Sequence, residues 1–361
     1  MTPPPDSSLA AAPDRSIFAQ ETGGGGALPS WAPWGAFVGS LVFAGAVEAA
    51  LGWFTIALML VFGALIAIVA IYAWSRAVEG RRRAKDRAVT MAIATAFGVA
   101  MAPLISLLYE VIKRGAAGIN WEFFTTTSRG AITGGGAEHA IVGTLIITAC
   151  AVVISVPIGL MAAIYMNEYG RGPLRRALTF FVDVMTGIPS IVAGLFAYAL
   201  FELFLGPGIQ MGIMGSLALS VLMIPIVIRS AEEVLKIVPD HLREASYALG
   251  TPKWKTIVKV VLPTAFAGLV TGVMLATARI IGETAPLLVT TGVVTSLNTN
   301  PFQGRMQNLA VYAYNEYRSP GVMKQASYDR AWAAALVLIV IVMILNVIAR
   351  LVYRRYKTEI R

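Results

Sequence analysis

Residues 140–167 read AIVGTLIITACAVVISVPIGLMAAIYMN, a run without one Asp, Glu, Lys or Arg. At 1.5 Å of rise per residue, about 20 apolar residues in a helix cross the roughly 30 Å of a bilayer's hydrocarbon. This run exceeds that length. The same freedom from charge recurs over 49–75, 88–109, 184–201, 203–228, 260–278 and 331–349, and over 34–47 just before Glu48. Read as helices, these stretches predict eight spans, at about 34–49, 51–75, 88–112, 140–166, 177–204, 213–235, 263–290 and 331–353. Only Glu48 and Gly52 mark a turn between the first two, so one long kinked helix is the alternative there.

Composition supports the same class. The chain has 361 residues, 57% of them apolar and 14% charged, with a mean hydropathy of +0.70. Soluble chains run at roughly 25% charged and 45–50% apolar. A soluble globular enzyme, a disordered tail and a disulfide scaffold are thereby excluded, and an all-α polytopic membrane protein is implied. The lone Cys150 allows neither an intrachain disulfide nor a cysteine metal cluster. A net charge of +9 would suggest nucleic acid in a soluble protein. Here the cations sit between apolar runs, where they set topology.

Four basic clusters stand out: Arg81, Arg82, Arg83, Lys85 and Arg87; Arg171, Arg175 and Arg176; Lys236, Arg243, Lys253, Lys255 and Lys259; and Arg354, Arg355, Lys357 and Arg361. Eight spans put all four on one side, the cytoplasmic one, together with both termini. The loops around 113–139 and 291–330 then lie outside, with basic residues such as Arg129, Arg305, Arg318 and Lys324 spread thinly. Residues 1–33, rich in Pro3, Pro4, Pro5, Pro13 and Gly23–Gly26, read as a flexible leader. The apolar run begins only near Trp31, which argues against a cleaved signal peptide. The expected organisation is an extra helix pair at 34–75, a basic linker at 76–87, the main membrane domain at 88–355 and a tail at 356–361.

Among the polar stretches, Glu244 to Pro263, EASYALGTPKWKTIVKVVLP, is the most informative. Leu242, Ala245 and Leu249 recur at helical spacing, and Gly250 suits the left-handed position just past a helix end. Thr251 reads as an N-cap with Pro252 in the first turn of the next helix. Two short helices at an angle would present a knob beneath the membrane; a solvated amphipathic loop is the alternative. Charges within spans also ask for a reason, because they are costly in a bilayer. Arg279 and Glu283 sit four residues apart, which predicts one shared helix face. Arg229 is followed by Glu232 and Glu233 at i+3 and i+4, and Asp183 lies within the fifth span. Each is either functional or a structural ion pair, and Asp183 reads as structural.

The stretch from Glu244 resembles the EAA loop of ABC importer permeases, E-A-A-x3-G-x9-I-x-L-P. Glu244, Ala245, Gly250, Leu262 and Pro263 match, while Ser246 and Val260 replace Ala and Ile. A narrower resemblance, to the PstA type of phosphate importer permease, is carried by GGAEHAIVGTLIIT (135–148), GIPSIVAGLFAY (187–198), residues 250–288, PFQGRMQNLAVYAY (301–314) and AWAAALVLIVIVMILNVIAR (331–350). Arg-Ile-Ile-Gly-Glu-Thr-Ala-Pro, Arg279 to Pro286, favours that type over its PstC partner type. The resemblance implies a type I permease core of about six transmembrane helices, to which the helix pair before residue 76 is an addition.

The same resemblance implies a multi-pass subunit of the inner membrane. Its implied partners are a PstC-like second permease subunit, a PstB-like ATP-binding subunit gripping the loop near Glu244 and Gly250, a PstS-like phosphate-binding protein, and membrane lipids. Nucleic acid and cofactors have no part in it. Inorganic phosphate would pass Arg279, Glu283, Arg229, Glu232 and Glu233. Arg offers a planar fork of donors that matches two phosphate oxygens, and a nearby carboxylate keeps the anion from being trapped. A permease for sulfate or another oxyanion, or an ion-coupled secondary carrier, is the alternative. The chain contains no G-x4-G-K-[ST] pattern. His139 and His241 are too far apart in sequence to suggest a metal centre, and no Ser-His-Asp triad can be assembled.

Overall fold

A computed structural model describes residues 28–52, 55–128 and 135–356. Most of the expected leader, 1–27, and the end of the expected tail, 357–361, lie outside the described residues. Contacts divide the chain into two compact units, Met1–Leu107 and Leu108–Arg361.

The first unit holds α1 (Ala32–Ala50), α2 (Ile56–Val78) and the start of α3 (Arg81–Gly118). α1 and α2 are separate helices, not one kinked rod. Leu51 caps α1, and Gly52 turns the chain at a φ of +72°. Glu48 is buried beside this turn, where one carboxylate oxygen accepts from the Thr55 amide at 3.2 Å. The stretch 76–87, expected as a linker, is helical apart from Glu79 and Gly80, and α3 starts seven residues ahead of the expected span. Glu79 ties this corner together. It accepts from Arg87 Nε at 2.6 Å and Nη2 at 2.7 Å, from Ser75 Oγ at 2.7 Å and from the Leu28 amide at 2.7 Å. The Arg87 guanidinium holds the Glu79 carboxyl down to about 2. Leu28, Ala32, Ile71 and Met91 pack beside it.

In the second unit, α5 (Glu138–Ile164) runs on through a π turn, Tyr165–Tyr169. Before it stands the short α4 (Trp121–Thr125), capped by Asn120, whose side chain accepts from the Phe123 amide. Then come α6 (Pro173–Thr186), α7 (Ser190–Leu205), α8 (Gly212–Ile237) and α9 (Asp240–Ala248). α10 (Lys253–Thr256) continues through a second π turn, Ile257–Val261, into α11 (Leu262–Ile280). α12 (Ala285–Thr290), α13 (Leu309–Arg318) and α14 (Lys324–Tyr356) complete the unit.

Among the described residues, seven helices are long and apolar enough to cross a membrane, or eight if α6 and α7 are one broken span. Two expected spans are corrected. The stretch 177–204 is not one helix: α6 and α7 meet at 107° across Gly187–Pro189. The stretch 263–290 starts earlier, in α10, and breaks at 281–284. A helix needs its full hydrogen-bond ladder; a proline lacks the amide hydrogen and disfavours helix just before itself. Pro189 and Pro286 sit at those breaks, whereas Pro157 and Pro225 are carried inside α5 and α8.

α8 is the most buried span, and α5, α6, α7, α11 and α12 all pack on it. Lipid tails are as apolar as leucine, so in a bilayer close packing and interhelical hydrogen bonds hold helices together. Ser216 Oγ donates to the Ile147 carbonyl of α5 at 3.0 Å. Ile147, Leu219, Met223, Ile280, Leu287 and Met306 fill one end of this core; Met166, Val182, Ile228, Leu235 and Val261 fill the other. The loop after α12 folds back into the first end, with the Ile213 amide donating to the Pro301 carbonyl at 2.8 Å.

Candidate functional site

Arg229 lies on α8 and is paired on both sides. It donates to Asp183 at the end of α6, and its Nη1 reaches Glu232 Oε2 at 3.1 Å. Glu232 is buried and also takes Lys236 Nζ at 2.9 Å. These four side chains are two cations and two anions, so the cluster is neutral. Glu233, expected as a partner, is exposed and makes no ion pair among the described residues. Asp183, read from sequence as a structural charge, is one of the two anions of this cluster and stands just ahead of the 107° bend.

Arg279 and Glu283 are not on one helix face. α11 ends at Ile280, so Glu283 falls in the break that follows, where its amide donates to the Ile280 carbonyl at 3.1 Å. The two make no ion pair with each other. Arg279 is exposed on the subunit surface, and Glu283 is half-buried. The break is held against α7: a Cβ on Gly194 would come within 2.6 Å of Pro286 Cα, so only glycine allows this approach.

Arg229 and Arg279 occupy different levels. Ser230 of α8 faces Gly272 of α11, where a Cβ would lie 2.8 Å from the serine Cβ. From Gly272, Arg279 is seven residues further along α11, about 10 Å of helix. The two arginines therefore mark two stations along the unit rather than one site.

The elbow expected at 244–263 is present, with one correction. Gly250 follows α9 at a φ of +73°, in the left-handed region. Pro252, not Thr251, caps the next helix, which is no separate short element but the first turn of the span that becomes α11. Ser246, the departure from Ala in the loop pattern, reaches across the turn to Thr256 Oγ1 at 2.8 Å; both are buried. Glu244, Ala245 and Gly250 are exposed, beside Leu249 at 85% and Trp254 at 62%. Leu262 and Pro263 begin α11 directly above. An exposed apolar knob flanked by charge has the character of a contact surface.

Sequence reasoning missed what fastens this elbow. Arg243, on α9, is 14% exposed, and its Nη2 meets Glu168 at 2.9 Å; Glu168, in the π turn ending α5, is 5% exposed. Arg243 also donates to the Val238 and Leu235 carbonyls at the end of α8, at 2.6 and 3.1 Å. Lys253 donates to the Glu168 carbonyl, and its ammonium lies 4.9 Å from the Tyr169 ring centre. Arg243 and Lys253 were visible only as members of a basic cluster; Glu168 lies 75 residues from Arg243, beyond any local pattern.

A family model described as "Binding-protein-dependent transport system inner membrane component" matches residues 155–360. The chain belongs to this family of inner-membrane permeases. The "Phosphate transport system permease protein PstA 1" of Mycobacterium tuberculosis (strain CDC 1551 / Oshkosh) is 45% identical to it over 276 residues, covering 75% of this chain and 90% of that one. The protein named "Phosphate transport system permease protein PstA" in Yersinia pestis is 39% identical over 284 residues, covering 76% and 92%. A solved structure of a bacterial alginate ABC transporter, in complex with alginate pentasaccharide-bound periplasmic protein, contains a chain similar in fold: its TM-score is 0.54 at 14% identity, covering 76% of this chain and 96% of that one. The fold is thus that of an ABC transporter permease of type I, a membrane transport subunit. Within the permease, the elbow, its clasp and the two arginine stations all converge on α8 and α11.

Proposed function

We propose that this permease is the PstA-type half of an ATP-driven importer of inorganic phosphate. The observation that carries the reading is the 45% identity, over 276 residues, with a protein named as a phosphate transport permease. A PstC-like subunit forms the other half of the path, a PstS-like protein delivers phosphate outside, and a PstB-like ATPase grips the elbow from the cytoplasm. With α6 and α7 counted as one broken span, an eight-crossing chain with its basic clusters facing inward would carry both termini and the elbow on the cytoplasmic side, and the basic clusters support that orientation.

A strongly hydrated oxyanion gives up water only to groups that replace it. Arg279, exposed and without an ion pair among the described residues, supplies a fork of donors at the outer station, with Glu283 close in the chain to moderate its charge. Arg229 supplies the inner station, but only when Asp183 or Glu232 releases it. When ATP closes the motor, the elbow moves. Arg243 passes that movement to the ends of α5 and α8, and α8 carries Arg229. The path therefore opens on one side at a time.

Uptake of labelled phosphate into vesicles holding the complete importer tests this. Arg279→Gln should abolish uptake while the complex still assembles. Undiminished uptake would remove Arg279 from the path, competition by sulfate as strong as by phosphate would favour another oxyanion, and uptake by the permease without an ATPase would favour an ion-coupled carrier.

A further inference from the structure

The first unit holds a groove whose lining residues lie off the proposed path. The apolar part of α3 does not close on the α1–α2 pair: its most hydrophobic stretch has no buried residue. The helices meet at the corner of Glu79 and Arg87 and through Met91, and beyond it they leave a groove of about 960 Å³. That volume stands at the upper end for small-molecule sites, roughly 300–1,000 Å³. Its walls are apolar, from Trp34 and Phe37 on α1, Leu60 and Ala64 on α2, and Met91 and Val99 on α3.

Charge is confined to one end. The groove-lining positions of α3 run from Arg83 to Ala102 at helical spacing, nineteen residues or about 28 Å. Glu79, Arg83, Asp86 and Arg87 line this end, two anions and two cations, and the exposed Arg81, Arg82 and Lys85 lie on the same first two turns of α3 without lining the groove. Arg87 is already committed to Glu79. The other five charges are four cations and one anion, a net +3, all exposed.

We infer that this groove is a binding site for an anionic glycerophospholipid, with its acyl chains between α3 and the helix pair and its phosphodiester at Arg83. A long apolar trough with cations at one mouth matches the shape and charge of such a lipid. Basic pockets between spans attract anionic headgroups, whereas a zwitterionic headgroup brings its own ammonium to the same cations. A soluble phosphate ester would leave the apolar walls uncovered, and a neutral lipid would leave unmatched the net +3 that the exposed charges on the first two turns of α3 carry beside the groove end. The inference stands apart from the transport reading, because none of its residues lies on the proposed path.

The full-length permease is placed in phosphatidylcholine vesicles containing a minor share of photoreactive phosphatidylglycerol, with photoreactive phosphatidylcholine as the neutral control. Cross-linked peptides are mapped by mass spectrometry. The anionic probe should label α3 between Arg83 and Ala102, and unreactive phosphatidylglycerol should compete it away. Arg83→Glu, at an exposed position, should lower labelling on the order of tenfold. Ala94→Trp, which puts bulk into the trough, should lower it as well, and phosphate uptake by the assembled importer gives an independent check that the variants fold. Equal labelling by the neutral probe, or labelling indifferent to both substitutions, would overturn the inference. So would cross-links from this face of α3 to the second permease subunit in the assembled importer, because the groove would then be a protein interface.

Discussion

Replacing Arg243 with Met tests how the elbow is joined to the spans. The change keeps much of the side chain's apolar bulk and removes its donors. In the native subunit the guanidinium meets Glu168 at 2.9 Å and two terminal carbonyls of α8 at 2.6 and 3.1 Å. Without it, Glu168 keeps among the described residues one side-chain donor, the adjacent Asn167 at 3.0 Å, and two helix-end carbonyls lose a partner. Breaking a buried pair from one side costs about 3–5 kcal/mol. Glu168 lies at the end of a span, where water can reach a loosened turn, so the lower figure of about 3 kcal/mol is expected. That is enough to free α9 from α5 while the helical core persists. The assay measures ATP hydrolysed and phosphate imported by the reconstituted complex. Arg243→Met should leave hydrolysis near its native rate and cut phosphate moved per ATP by at least about tenfold. The double variant Arg243→Met with Glu168→Gln should recover part of the loss, because no uncompensated carboxylate remains buried. Native coupling in Arg243→Met, or a double variant worse than the single by the full independent cost of each change, would refute the clasp as the connection.

Gly250→Val should cost about 1–2 kcal/mol through its φ of +73° alone, since a Cβ there meets no other atom; co-purification of the ATPase subunit should fall, and unchanged recovery would count against the elbow as the joint. Asp183→Asn weakens one of the two holds on Arg229 and should raise ATP hydrolysis in the absence of the binding protein; a basal rate like the native one would make the pair a static brace. Glu79, held down to about 2 from an ordinary 4.5, contributes stability that is complete above about pH 4.5 and is lost as pH falls from there toward 2. Spin labels on α1 and on α3 near Met91 should therefore keep their separation from neutral pH down to about 5 and move apart below about 4, and a separation that changes between pH 7 and 6 would assign the corner to another group.

The spans were legible wherever a charge-free run coincided with an unbroken helix, as in α5 and α8. They were misread where an apolar run hides a change of backbone, because hydropathy does not distinguish helix from a buried turn. The signal for those turns was nonetheless local: Gly187-Ile-Pro189 puts a glycine and a proline inside an apolar run, and Gly282-Glu-Thr-Ala-Pro286 puts them just past the end of one. Spacing of four residues between Arg279 and Glu283 implies a shared face only if the helix continues, and it ends at Ile280. The left-handed glycine of the elbow was legible because its φ is a property of one residue and its neighbours. The clasp of Arg243 on Glu168 was not, because it depends on where α5 ends relative to α9, which is settled by packing on α8.

The two breaks also explain why charge is tolerated at these positions. Backbone that leaves the helix at membrane depth must be buried in protein or line a cavity, since lipid offers it no hydrogen bonds. Asp183 precedes one break by a single turn, and Glu283 lies inside the other. The helices that follow the breaks, α7 and α12, pack against each other through Gly194 and Pro286. A charge on an unbroken, lipid-facing helix would gain nothing from bending; beside a break, the same charge moves when the angle of the break changes. Asp183 can let go of Arg229 by a change at Gly187–Pro189 that leaves α8 in place. Arg279 and Glu283 can be brought together or drawn apart by a change at 281–284. On the proposed path, a subunit built this way would need no large displacement of its central helix, since Arg229 and Arg279 each sit beside a break.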